Sequence, residues 1–288
     1  MTLPQAEYRF VHLVVLILLA MSLTSCGGGG SAEARGNSPV MLPRLGAISY
    51  WATASLYDQL PSGAIAVVNP SNGIFSGQTT TLVSDVASYA GIVSNAAARN
   101  VAMLGYVPTG YFAHGCNVAT QCQTLARIDA QVQAYFQNMP GLAGIFFDEA
   151  SPKVWSCSAF VAEYQQLRDI VHLHNPQARI AFNAAVPDAC VVSGAAAGEI
   201  AVLFESDQAS YQSQATAIAS ATAAALAKGV VPWHLVYSVG NSTELGAVFA
   251  QATANKVSLF YATDKMSGQN IWNSLPGYWQ QELSLMGY

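Results

Sequence analysis

The chain has 288 residues, 52% of them hydrophobic and only 9% charged, with a formal net charge of −5. That composition supports a large buried core and excludes disorder, and without a cluster of basic residues the electrostatic footprint of a nucleic-acid binder is missing. Setting aside a leader and a Gly-rich stretch leaves roughly 245 residues, close to the usual size of one (β/α)8 barrel.

The N-terminus carries Arg9, an apolar run from Phe10 to Ala20, and then Leu23-Thr24-Ser25-Cys26. Residues 1–25 read as a signal peptide, too short to span a membrane comfortably, and its end resembles a bacterial lipobox. Cys26 is then expected to become the lipidated first residue, anchoring an exported protein to a membrane. Gly27 in place of Asp after that cysteine favours the outer membrane or cell surface. The Gly-rich residues that follow, within 26–44, read as a flexible tether ahead of a single domain over 45–288.

Within that domain, short β-branched runs alternate with Ala-rich segments of helical period, the pattern of a parallel sheet with crossover helices. The predicted strands are Gly46–Tyr50, Ala64–Asn69, Ala102–Val107, Gly144–Asp148, Arg179–Asn183, Ile200–Glu205, Val231–Ser238 and Val257–Thr263. Helices are predicted at Thr80–Arg99, Gln123–Gln137, Ala159–His174, Gln212–Lys228, Ser242–Ala254 and Asn273–Leu285. Eight strands predict an α/β fold of the (β/α)8 TIM-barrel type. The link between the first two strands is too short for a full helix, so the first unit is expected to be irregular.

Four cysteines remain after Cys26, and in an oxidising compartment an even count suggests two disulfides among three connectivities. Cys116 with Cys122 and Cys157 with Cys190 is the simplest scheme. No CxxC or His clustering supports a zinc site, and neither metal nor cofactor is expected.

In parallel barrels the C-terminal ends of the strands form the active face. Here Asn69, Tyr106, Asp148 with Glu149, Asn183 and Glu205 each end an apolar run. A carboxylate emerging from a Phe-rich strand is poorly solvated unless it faces a cleft. Asp148 and Glu205 come from the fourth and sixth strands, whose inward side chains share a layer, so they can face each other. Glycoside hydrolysis needs such a pair, one carboxyl protonating the leaving oxygen while the other attacks the anomeric carbon or activates water. Glu149, next in sequence, points the other way in a regular strand and is expected to orient Asp148 or bind a sugar hydroxyl. Trp51, Tyr57, Tyr106, Tyr111 and Trp155 are candidates for stacking on sugar rings. His234 inside the seventh strand is either a substrate contact or a satisfied core histidine, Asp264 after the eighth is a further candidate for substrate contact, and Asp188 reads as a turn residue.

These segments resemble the spherulin-4 family. The matching residues are Ala66-Val67-Val68-Asn69-Pro70 with Asn72-Gly73, Leu104-Gly105-Tyr106-Val107-Pro108-Thr109-Gly110-Tyr111 and Gly144-Ile145-Phe146-Phe147-Asp148-Glu149, with weaker matches at Phe182-Asn183-Ala184 and Phe204-Glu205. The resemblance implies a secreted, endo-acting hydrolase of α-1,4-linked N-acetylgalactosamine or galactosamine polysaccharide such as biofilm matrix, with Asp148 as nucleophile and Glu205 as acid/base. The chain departs from the family pattern at Asn72-Gly73-Ile74-Phe75 and at Ala113-His114-Gly115-Cys116. The expected partner is a polysaccharide, bound by a monomer. The alternative is a carbohydrate-binding surface protein without turnover, which has no need of two facing acids.

Overall fold

The computed structural model describes residues 41–51, 53–113, 123–151, 156–268 and 270–288. The expectations for the leader, Cys26, the tether up to residue 40, Cys116, Cys122 and Trp155 lie outside the described residues.

Eight strands alternate with helices in chain order: β1 (Arg44–Ser49), α1 (Ala54–Tyr57), β2 (Ile65–Val68), α2 (Val86–Ala98), β3 (Ala102–Pro108), α3 (Leu125–Asn138), β4 (Gly144–Asp148) and α4 (Cys157–His174). There follow β5 (Arg179–Asn183), α5 (Ala189–Gly194), β6 (Ile200–Asp207), α6 (Gln208–Ser213), α7 (Ala215–Lys228), β7 (Val231–Tyr237), α8 (Ser242–Ala254), β8 (Leu259–Ala262) and α9 (Trp279–Leu285). Every strand pairs in parallel with its sequence neighbour, and β1 closes on β8 through Arg44 beside Leu259 and Leu45 beside Phe260. The fold is thus a closed (β/α)8 barrel. Its first unit has only the four-residue α1, as the short link requires.

The strands are apolar throughout because both faces are buried, one against the barrel interior and one against the helices. The interior is filled by aromatic rings: Phe146 lies 6.2 Å from Tyr106 and 5.7 Å from Trp233, centroid to centroid. Gly46 makes room for this plug, since a Cβ there would meet the Trp233 indole at 2.8 Å, and Trp233 Nε1–H donates to the Gly46 carbonyl. On the outer face Tyr164 of α4 stacks on Phe182 at 3.8 Å.

Three helices start or break where local periodicity does not show it. The segment predicted from Thr80 becomes helical only at Val86, because Phe75 bridges Leu82 and Arg127 binds the carbonyls of Gly77, Gln78 and Thr79. The helix predicted from Gln212 starts earlier, at Gln208, where Asp207 caps it through Ser210 N–H, and it breaks at Gln214. The last helix starts at Trp279, after Pro276-Gly277, since proline and glycine both disfavour helix interiors. The unpredicted α5 is capped by Asp188, which accepts the Cys190 N–H.

Cys157 and Cys190 form a disulfide, with Cα atoms 5.2 Å apart, that joins the starts of α4 and α5. It closes a loop of 33 residues. Replacing both cysteines with alanine is expected to cost about 4 kcal/mol by the entropy of loop closure, read as a lowered midpoint in chemical denaturation. An unchanged midpoint would show that the bridge adds no stability.

Candidate active site

Backbone register decides which side chains reach the barrel mouth. Residues paired across a parallel ladder share a face, and Asn183, Val202 and Trp233 pair in sequence across β5, β6 and β7. Trp233 packs in the interior, so Val202 and Asn183 face inward as well. Strict alternation would then turn Phe204 inward and Glu205 out. Instead the register shifts between Val202 and Phe204, which pairs Phe204 with His234 and Glu205 with Leu235. The extra residue, Leu203, makes a bulge that reverses the parity of the strand and aims Glu205 at the mouth.

There Glu205 meets Asp148, which ends β4 on the same face as Phe146. Asn183 Nδ2 donates to Asp148 Oδ1 at 2.8 Å and to Glu205 Oε2 at 2.6 Å. Its own Oδ1 accepts the Ala185 N–H at 3.1 Å, which fixes the amide so that the NH2 group faces the two acids. The two facing oxygens can be no farther apart than those two bonds laid end to end. That upper limit falls short of the roughly 6.5–9.5 Å that separates the carboxyl groups of inverting glycosidases. Asp148 Oδ2 accepts the Tyr106 hydroxyl at 2.6 Å, and Glu205 Oε1 accepts the Trp272 indole N–H at 3.0 Å. All four carboxyl oxygens are therefore hydrogen-bonded.

The pair stands on the aromatic plug at the floor of an open cleft of about 510 Å3. Burial raises the pKa of Asp148, against the Tyr106 hydroxyl, the Glu149 backbone and the Asn183 amide. Burial, with the charge of Asp148 added, lifts Glu205 to about 7, against Asn183 and Trp272. Near neutral pH the site can hold one carboxylate and one carboxylic acid, the division of labour that acid-assisted displacement requires. The cleft is also lined by Tyr111, Glu149, Ser151 and Tyr237, and neither Lys nor Arg is among its described lining residues.

Other candidates lie elsewhere or work indirectly. Glu149 lines the cleft in a left-handed conformation (φ 58°), and its Oε2 accepts the Gly110 N–H, bracing the turn that carries Tyr111. Asn69 Oδ1 accepts the Gly73 N–H and shapes the loop after β2. Asp264 accepts the Gly277 N–H and pairs with Lys265, so it organises the segment between β8 and α9. His234 requires correction: as the ladder partner of Phe204 it faces away from the barrel axis. It is fully buried between the Tyr211 hydroxyl and Thr222 Oγ1, and burial lowers its pKa to about 3, leaving it a neutral core residue. Trp51 and Tyr57 are likewise core residues, each 1% exposed, and Tyr57 donates to the Ser49 carbonyl. Sequence reading missed Trp272, which no strand or helical period marks.

Non-glycine residues with positive φ gather at this end of the barrel. Asn72, Tyr111, Phe112, Glu149, Ala185 and Ser238 all lie in loops that follow strands, whereas Asn100 and Lys256 follow helices. Such conformations cost roughly 1–3 kcal/mol each and persist where the surroundings over-determine them, as the Asn183 bond to Ala185 N–H does here.

Comparisons with known proteins agree with this architecture. Residues 47–286 match the model of a family described as Spherulation-specific family 4. Spherulin-4 of Physarum polycephalum is 24% identical over 227 residues, covering 76% of this chain, and the chain spans 61% of that protein's length. The solved structure of Aspergillus clavatus Sph3 in complex with GalNAc aligns with a TM-score of 0.63 at 17% identity, covering 85% of this chain and 97% of that one. Thermotoga maritima Cel5A, solved in complex with a mannotriose substrate, aligns with a TM-score of 0.53 at 7% identity over 86% and 97% of the two chains. At these identities the structural likenesses show a shared fold.

Proposed function

The chain belongs to spherulation-specific family 4, and from that premise we propose that it is a retaining, endo-acting glycoside hydrolase of α-1,4-linked N-acetylgalactosamine or galactosamine polysaccharide. The observation that carries this reading is the single Asn183 amide hydrogen-bonded to Asp148 and Glu205 together. A site for binding alone gains nothing from two desolvated acids held within reach of each other.

In the proposed mechanism Asp148, kept ionised by Tyr106 and Asn183, attacks the anomeric carbon. The glycosidic C–O bond breaks as Glu205 passes its proton to the leaving oxygen, which yields a glycosyl ester on Asp148 and a Glu205 carboxylate. That carboxylate then takes a proton from water, whose oxygen attacks the same carbon, releasing the sugar and restoring both side chains. Tyr111 and Tyr237, which line the cleft, are the proposed stacking partners of the sugars. A cleft whose described lining carries three carboxyl groups and neither Lys nor Arg suits a neutral or cationic amino-sugar polymer, and the GalNAc in the Sph3 structure points the same way. Protein lacking residues 1–30 should release reducing ends from galactosaminogalactan-type polymer. Saturable binding of that polymer without any release would replace this reading with that of a binding protein.

Export as a lipoprotein, with Cys26 lipidated, and a Cys116–Cys122 disulfide complete the proposal, together with action as a monomer. Cys26→Ser should move the protein from the membrane to the soluble fraction of cells expressing the full chain. A variant still held in the membrane fraction would refute the anchor.

A further inference from the structure

We infer that Trp272 is a positioning residue for the acid/base, a seam by which the segment between β8 and α9 fixes the orientation and proton affinity of Glu205. This rests on the reading of Glu205 as acid/base. Trp272 is held at both ends across the barrel mouth. Its carbonyl accepts the Tyr50 N–H just after β1 at 3.1 Å, and its indole N–H reaches Glu205 Oε1 on β6 at 3.0 Å. The residue is only 4% exposed, its ring packed 5.7 Å from Tyr261 and 6.5 Å edge-on from Tyr237. The indole therefore cannot swing away without breaking aromatic packing on β7 and β8. An indole N–H is donor only. It always favours the ionised form of the oxygen it meets, while Asn183 does the same at the other oxygen.

The proton on Glu205 is thus set by opposing groups. Burial and the negative charge of Asp148 hold the proton on, whereas Trp272 and Asn183 favour its release. Among the described residues the other titratable groups around the pair are Tyr50, Tyr106, Tyr111, Glu149 and Tyr237. Among the described residues of the β8–α9 segment, Trp272 is the one that donates a hydrogen bond to Glu205. Without it Glu205 would hold its proton more tightly, donate it less readily as an acid, and lose the constraint on its carboxyl plane.

Two readouts test this. In 15N-labelled wild-type protein, the Trp272 indole N–H resonance, assigned through its contacts with the Tyr237 and Tyr261 rings, should titrate with a midpoint near pH 7 and cease to titrate in Glu205→Gln. A resonance flat between pH 5 and 9, or one that titrates unchanged in Glu205→Gln, would overturn the inference. In Trp272→Phe, which keeps a ring and loses the N–H, the alkaline limb of kcat/KM should move up by about one pH unit, as expected for loss of one hydrogen bond to a charged group. An unmoved limb, or one displaced downward, would also overturn it. The resonance measurement needs no substrate, so a protein that cleaves nothing would defeat the hydrolase reading and still leave the Trp272–Glu205 coupling decided.

Discussion

Asp148→Asn and Glu205→Gln should each lower the rate of polymer cleavage by at least ~10²–10⁴-fold while leaving the fold intact, because removing a positioned nucleophile or proton donor typically costs that much. Glu149→Gln should cost less than either, since that carboxylate braces the turn at Gly110 and has no bond to the Asn183 amide. The same substitution at Glu205 has a second expected effect, on stability. Its pKa is lifted by burial from 4.5 to about 7. Below the unfolded value the group is protonated in both states and is neutral to folding. As pH rises, the unfolded chain releases the proton first, so the native state loses relative stability until about pH 7 and the penalty is constant thereafter. Each pKa unit is worth about 1.4 kcal/mol, so Glu205→Gln should unfold at higher temperature than wild type at pH 8 and at nearly the same temperature at pH 4. Calorimetric scans at the two pH values check this. Near wild-type turnover in both Asp148→Asn and Glu205→Gln would show that the pair is wrongly assigned.

Asn183→Ala is expected to lower kcat by on the order of 10²-fold or more, although Asn183 carries no proton in the mechanism, because displaced catalytic groups lose most of their advantage. The amide supplies one hydrogen bond to each acid and keeps them apart at a fixed spacing. Without it the two carboxyls lose a shared donor, both hold protons more tightly, and the acidic limb of kcat/KM should move upward as Asp148 becomes harder to ionise. Steady-state kinetics across pH, with a far-UV spectrum to confirm the fold, would measure it. Unchanged kcat with only a raised KM would mean that Asn183 binds sugar and does not organise the acids.

Much of the barrel is legible in the sequence because a parallel strand buried on both faces leaves an unbroken apolar run, as in Gly144–Asp148, and polar residues that end such runs fall at the mouth. Asp148, Asn183 and Glu205 could be named for that reason. Facing direction is another matter. Nothing in Ile200–Asp207 marks Leu203 as the extra residue, so regular alternation gives the wrong side for Glu205, and only cross-strand register reveals the bulge. His234 was misplaced for the same reason, since it shares a face with Phe204 and reaches Tyr211 and Thr222 behind the sheet. Trp272 escaped because its role depends on a contact 67 residues away in a segment without periodicity. Tertiary hydrogen bonds, such as those from Arg127 to the carbonyls of residues 77–79, likewise moved the start of α2 beyond what local propensity indicated.

In the proposed reaction Asp148 attacks the sugar directly, with Glu205 held close enough to serve first as acid and then as base. The configuration of the newly formed reducing end tests it most directly, read by proton NMR in the first minutes of hydrolysis before mutarotation. Two displacements at an α-linked substrate predict that the α anomer appears first and the β anomer follows only as the solution equilibrates. A product that forms first as the β anomer would mean a single displacement by water and would contradict the nucleophilic role of Asp148.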